Sequence, residues 1–244
     1  MKQLRRRIQT AMQQGGGAAA WTPASIAGLK VWLDPTVSSS VTVATGASQI
    51  NDLSGNGNHA TQATGSKQPA YTSGQYITFD GVDDWMEIPA LGELGTNPRS
   101  YVVQGYWTNI AYKVLVAFYN NDLNYSGLSA GIDLSLRPCC YWINTMGGQT
   151  VLSHTNALTS QWVSFAVTRS ATTVSLYVNG TFSTSFNASA NNNITKNLKT
   201  FLGAIQQAGP EPDASFYNGR MRKVLIYTSE LTAADVTNLY NAGY

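Results

Sequence analysis

An all-β fold of short antiparallel strands is what this 244-residue sequence predicts, on three observations. The first is residues 162–180, WVSFAVTRSATTVSLYVNG. Val163, Phe165 and Val167 alternate with Ser164, Ala166 and Thr168, the period-two pattern of a sheet with one buried face. Val174, Leu176 and Val178 repeat it before Asn179 and Gly180, a pair that tolerates the positive φ angles of a two-residue hairpin turn. A partner strand over residues 181–186 then places Phe182 and Phe186 on one face. The second observation is composition: charged residues are only 11% of the chain, glycine occupies 22 positions, and Ser, Thr and Asn are abundant, as many strands joined by turns require. The third is length, which suits one large β-sandwich as a single domain.

Residues 1–20 read as a separate basic arm and Gly/Ala linker, and residues 21–244 as the sandwich. Leu4, Ile8, Ala11 and Met12 fall at helical spacing on an otherwise polar segment, so the arm is helical or extended. Gly15, Gly16 and Gly17 interrupt any helix there. Lys2, Arg5, Arg6 and Arg7 are four of the 15 basic residues, and the first acidic residue is Asp34. Residues 8–244 therefore carry 11 basic and 13 acidic side chains, a net of −2, and the overall +2 belongs to the arm. One alternative is a solvated basic tail. The other is an anchor, because a helix of about a dozen residues is marginal alone and needs a surface to lie on. As an anchor it would seat Leu4, Ile8 and Met12 in a groove and bring Arg5, Arg6 and Arg7 to acidic neighbours. Nucleic-acid contact is not expected, since four charges without interleaved aromatics give little affinity at ordinary salt.

The far end predicts a short helix. Thr232 with Asp235 fits a capping box, and Leu231 and Val236 are placed for a hydrophobic staple. Val236, Leu239 and Tyr240 form its buried stripe, and Gly243 sits where a residue of positive φ is wanted. No run approaches the roughly 18 apolar residues of a membrane span, so no membrane insertion is expected. The basic start has no apolar stretch behind it, so no secretory signal is expected either. Cys139 and Cys140 are adjacent, and a bond between them would close a strained ring, so two thiols are expected. These points favour folding in a reducing cytoplasm.

Several segments together resemble laminin-G-like domains of the concanavalin-A-like lectin and glucanase superfamily. Residues 29–34 (LKVWLD) look like the family's first strand, and residues 52–60 (DLSGNGNHA) are similar to its D-x-S-G-N-G-N loop. Residues 77–89 (ITFDGVDDWMEIP) resemble its F-D-G-x-D-D strand-turn-strand, and the 162–180 hairpin its central Leu-Tyr-Val-Asn-Gly turn. Phe216 to Met221, then Val224 to Tyr227, Leu231-Thr232 and Leu239-Tyr240 follow the family's closing order. The resemblance implies an antiparallel jelly-roll β-sandwich of concanavalin-A-like type, with a short C-terminal helix.

It also frames three expectations about chemistry. A glucanase would need alternating carboxylates on one strand, two of them roughly 5 Å apart for the retaining mechanism. The four glutamates are Glu87, Glu93, Glu211 and Glu230, and only Glu211 has an acidic neighbour at that spacing, across Pro212. The histidines, His59 and His154, stand in contexts that suggest neither nucleophile nor base. No catalysis is expected. Relatives often hold calcium at the sandwich rim, and Asp52, Asp80, Asp83 and Asp84 are the candidates. Turn chemistry explains the same residue types and is preferred, so no cofactor is expected, with calcium the weaker alternative. Sugar binding uses exposed aromatics beside polar groups. The pairs Tyr106-Trp107 and Tyr141-Trp142 are candidates, as is the polar aromatic segment from Tyr119 to Asp122. One ring of each adjacent pair points to the core. Tyr141 and Trp142 are taken as the sugar-contacting guess.

The chain looks like the laminin-G-like proteins of tailed-bacteriophage virions. It is then expected to be a non-enzymatic decoration or accessory protein of capsid or tail, assembled in the host cytoplasm and displayed on the virion surface. Other virion proteins would hold its arm, and the sandwich would make weak multivalent contacts with host glycans. The alternative is a stand-alone carbohydrate-binding module or host-recognition lectin.

Overall fold

A computed structural model describes residues 21–95, 97–110, 113–120, 126–143, 149–188, 194–197, 199–206 and 211–244. The arm residues Leu4, Arg5, Arg6, Arg7, Ile8 and Met12 lie outside these, as do Asn121 and Asp122. Among the described residues, two large antiparallel sheets face each other. The eight-stranded sheet runs Thr181–Asn187, Thr173–Val178, Gln161–Arg169, Arg99–Trp107, Asn218–Tyr227, Tyr76–Asp80, Ala70–Thr72. Leu29–Leu33 joins it by pairing with the second half of Asn218–Tyr227, whose first half pairs with Tyr76–Asp80. The nine-stranded sheet runs Gln149–Ser153, Pro138–Ile143, Ser126–Ile132, Lys113–Asn120, Thr200–Leu202, Met86–Ile88, Ala60–Thr61, Ala47–Ile50, Val41–Val43. A two-stranded ribbon pairs Glu93–Gly95 with Ile194–Asn197. This is the antiparallel jelly-roll sandwich that the sequence predicts.

Alternation fills the space between the sheets. Val163, Phe165 and Val167 face inward, as do Val103, Trp107, Val224 and Ile226, against Val116, Phe118, Leu128, Ile132 and Trp142 of the other sheet. Asn179 and Gly180 both have positive φ, 49° and 76°, as the hairpin turn requires. Phe182 and Phe186 do not share a face. The register between Thr173–Val178 and Thr181–Asn187 shifts between Leu176 and Tyr177, a bulge that adds one residue and reverses the alternation. Phe186 packs on Trp142 inside, whereas Phe182 lies against Tyr177 on the outer face and is 54% exposed. Both cysteines are free and buried, and burial pushes the Cys139 thiol up to about 12.

The helix Ala233–Asn241 covers half of the outer face of the eight-stranded sheet. Val236 and Leu239 pack on Val102, Ala166, Tyr177, Leu225 and Tyr227. The Thr232 hydroxyl accepts from the Asp235 N–H at 3.1 Å and the Asp235 carboxylate accepts from the Thr232 N–H at 2.9 Å, the reciprocal box expected. Gly243 has φ 87° and closes the end. Tyr240 is 41% exposed, not buried: its ring rests over Gly180 of the hairpin, where only a hydrogen fits beneath it. Thr232→Ala is expected to cost about 1 kcal/mol, read as a lower midpoint in urea unfolding.

Candidate functional site

Among the described residues the helix leaves part of that outer sheet face open, and strand alternation decides what stands on it. Tyr76, Tyr106 and Trp162 come from three strands whose neighbouring residues, Ile77, Trp107 and Val163, point into the core. Their rings meet across the sheet: Trp162 lies 5.8 Å from Tyr76 and 5.8 Å from Tyr106, centroid to centroid. Arg220 and Arg222 rise between them from the central strand Asn218–Tyr227. The Arg220 guanidinium carbon is 4.9 Å from the Tyr76 ring and 5.1 Å from Tyr106, and that of Arg222 is 4.3 Å from Trp162. The three aromatics are half-buried and Arg220 is exposed. Arg222 is fixed further, its Nε donating to Gln104 Oε1 at 2.8 Å.

Beside this row a groove of about 370 Å³ runs under the end of the helix, lined by Trp162, Arg222, Gln104, Ser164, Asn179 and Tyr240 among others. Its polar walls are tied together by hydrogen bonds. Gln104 Nε2 donates to the Gly243 carbonyl at 3.0 Å, the Ser164 hydroxyl donates to the Tyr244 carbonyl at 3.0 Å, and Asn179 Oδ1 accepts from the Ser164 N–H at 3.0 Å. Flat aromatic surface, fixed donors and an adjacent groove are what stacking and gripping a small polar ligand require.

The sugar-contacting guess of Tyr141 and Trp142 is corrected by burial. Trp142 is 2% exposed, with the Arg169 guanidinium 4.9 Å from its ring and Phe186 at 6.3 Å. Tyr141 points to the outer face of the nine-stranded sheet but is only 6% exposed, packed with Val114, Ala117, Ile143 and Ile205. Its hydroxyl donates to the Ile132 carbonyl at 3.0 Å. Tyr141 edges a second hollow of about 440 Å³ with Leu134, Val151, Ser153 and the Asp133–Arg137 ion pair. Of the other aromatic pair, Trp107 is core and Tyr106 stands on the open face. The structure brings Tyr106 together with Tyr76, Trp162, Arg220 and Arg222, which sequence reasoning did not single out. The signal was present in the alternation: Trp162 precedes the buried Val163, and Arg220-Met221-Arg222 alternates around a buried Met221.

The rim carboxylates divide. Asp52 Oδ1 accepts from the N–H groups of Trp32 and Ser54, and its Oδ2 from the Ser54 hydroxyl and the Asn58 N–H. Those four bonds occupy it as a loop organiser, as the turn reading expects. Asp80, Asp83 and Asp84 bring carboxylate oxygens within 4.8 Å of one another, a donor set suited to a hard cation. Turn bonds also use this cluster: Asp80 Oδ1 accepts from the Val82 and Asp83 N–H groups, and Asp84 Oδ2 from the Asp80 N–H. Burial first, then the Asp80 and Asp83 charges, push the Asp84 carboxyl from 3.8 to about 6. A raised pKa means that the folded state holds the proton more tightly. That stability is full below pH 3.8 and is lost as pH rises to about 6. Asp84→Asn keeps the acceptor and removes the charge. It is expected to be more stable than the parent at pH 8 by on the order of 1 kcal/mol, the gap closing toward pH 4. Urea midpoints at the two pH values check this; a less stable variant at pH 8 would mean that a cation compensates the cluster.

The glutamates stand apart from this chemistry. Glu87 pairs with Lys199 at 2.8 Å and Glu211 with Lys67, both near the surface. His59 Nδ1 accepts from the Asp52 N–H at 2.9 Å, and His154 Nδ1 lies 2.9 Å from the Ser183 hydroxyl.

Solved structures with this architecture include the binding domain of Paraclostridial mosquitocidal protein 1 (TM-score 0.63, 13% identity, 88% of this chain and 52% of that one). The receptor binding domain of botulinum neurotoxin D is similar too (TM-score 0.66, 13% identity, 88% and 52%). This chain thus spans about half the length of those toxin domains. It covers 98% of domain 4 of AbnA, an extracellular arabinanase from Geobacillus stearothermophilus solved with arabinotriose (TM-score 0.61, 16% identity, 87% of this chain). No curated protein sequence matches the chain. A family sequence profile matches residues 80–237, more than half of the chain, which therefore belongs to the concanavalin A-like lectin/glucanases superfamily.

Proposed function

We propose that residues 21–244 form a non-catalytic sugar-binding sandwich whose ligand stacks on Tyr76, Tyr106 and Trp162. The observation that carries this reading is the half-buried aromatic row with its fixed guanidinium groups on the open sheet face. Support also comes from similar folds named as binding domains and from an arabinanase domain solved with arabinotriose. Glu87 and Glu211, each paired with a lysine, favour binding over hydrolysis. The basic, apolar-striped arm supports a second part of the proposal: anchoring of the sandwich to a larger particle, the capsid or tail of a tailed bacteriophage, with host glycans met by many copies at once.

A glycan-array screen of the full chain tests the first part. Binding to a defined set of saccharides is the expected result, and a blank array overturns it. Quantitative mass spectrometry of purified particles tests the second. Fixed stoichiometry to a shell or tail protein is expected, and absence of the chain from particles leaves the stand-alone lectin.

A further inference from the structure

Residues 8–244 carry a net charge of −2, yet the open sheet face concentrates cations. Strand alternation puts Arg220 and Arg222 on this face, and a β-bulge adds Lys223. The register of Asn218–Tyr227 against Arg99–Trp107 shifts between Arg222 and Val224, and Lys223 adopts φ 53°, a region uncommon outside glycine. The extra residue lets Lys223 join Arg220 and Arg222 on the outer side while Met221 and Val224 stay buried. Lys223 is already occupied, with its ammonium 4.3 Å from the Tyr244 ring and 3.9 Å from the Asp34 carboxylate. Arg220 and Arg222 have no carboxylate within ion-pair reach among the described residues. Asp34 acts on the Arg222 charge from nearby, but its carboxylate pairs with Lys223 at 3.9 Å. Asp80, two positions beyond Thr78, the residue that pairs with Arg220, accepts from its own turn. Two planar guanidinium groups are therefore held by aromatic rings, one of them exposed, with N–H edges left for an anion.

We infer that this face selects acidic saccharides: the sugar ring stacks on Trp162 and Tyr106, and a carboxylate on the ring is gripped by Arg220 and Arg222. The inference rests on the sugar-binding reading above and adds the ligand's charge class. Alternate residues on one strand face stand roughly 7 Å apart, so a chain of acidic sugars can engage both arginines.

The test titrates the full chain by calorimetry with trigalacturonic acid, its methyl ester, a heparin tetrasaccharide and oligo-dT, at low and high salt. The acid is expected to bind at least about tenfold tighter than the ester. Arg220→Gln should lose that preference while lowering the thermal midpoint by about 4 °C or less, because Arg220 is exposed and loses only its two surface ring contacts. Arg222→Lys keeps the charge but not the planar fork and should weaken the acid several-fold. Tighter binding of the heparin fragment than of trigalacturonate would keep the acidic class and move the anion from carboxylate to sulfate. Equal binding of acid and ester, an unaffected Arg220→Gln, or stronger binding of oligo-dT than of either acidic saccharide overturns the inference. Neutral sugars bound through Trp162 would then leave the sugar-binding reading standing. If neither these probes nor any arrayed glycan binds, both fall together.

Discussion

Trp107→Ala is expected to remove about 3–5 kcal/mol of stability, the range for deleting a large aromatic from a packed core. Trp107 is 1% exposed and meets Phe165 edge-on at 5.5 Å, in the cluster that joins the two sheets. Domains of this kind hold roughly 5–15 kcal/mol in total, so the loss is a large fraction of the whole. Trp107→Phe should cost much less. It keeps most of the ring and removes an indole N–H that has no hydrogen-bond partner among the described residues. Urea unfolding of both variants checks the pair. A Trp107→Ala loss under about 1 kcal/mol would mean that the core is not built as described.

Trp162→Ala should behave in the opposite way. Trp162 is half-buried on the outer face, so its removal is expected to change stability by about 1 kcal/mol or less. Ligand affinity should fall about tenfold to a hundredfold, because the ring supplies a rigid stacking surface and also positions Arg222. The pair of tryptophans separates the core role of one face from the ligand-binding role proposed for the other. A Trp162 variant that bound glycans as tightly as the parent would remove the aromatic row from the site.

Local rules carried much of the fold. The inward set Val163, Phe165 and Val167, the Asn179-Gly180 turn and the Thr232–Asp235 capping box depend on adjacent residues alone and stand as read. The single buried face does not, because the C-terminal helix and its surroundings also bury Ser164, Ala166 and Thr168. Phe182 and Phe186 were misread because a bulge adds one residue and reverses every later face, and nothing in the TFSTSFN strand announces it. Tyr141 illustrates a different limit. Alternation places its ring on the outer face, but whether that face is covered depends on Ile205, brought there from a distant segment. The candidate site was the least legible part. Tyr76, Tyr106, Trp162 and Arg220 become neighbours only through the strand order of the eight-stranded sheet, which joins residues far apart in the chain. Each is an ordinary surface residue of its own strand.

Nuclear magnetic resonance can test sugar binding on the open sheet face directly, by following the six tryptophan indole N–H signals during titration with a glycan bound on the array. Binding at the aromatic row predicts that the Trp162 signal shifts with saturation, while those of the buried Trp107 and Trp142 hold still. Saturable shifts confined to backbone signals around Leu134, Tyr141 and Val151, with Trp162 unmoved, would place the ligand on the opposite sheet and contradict it.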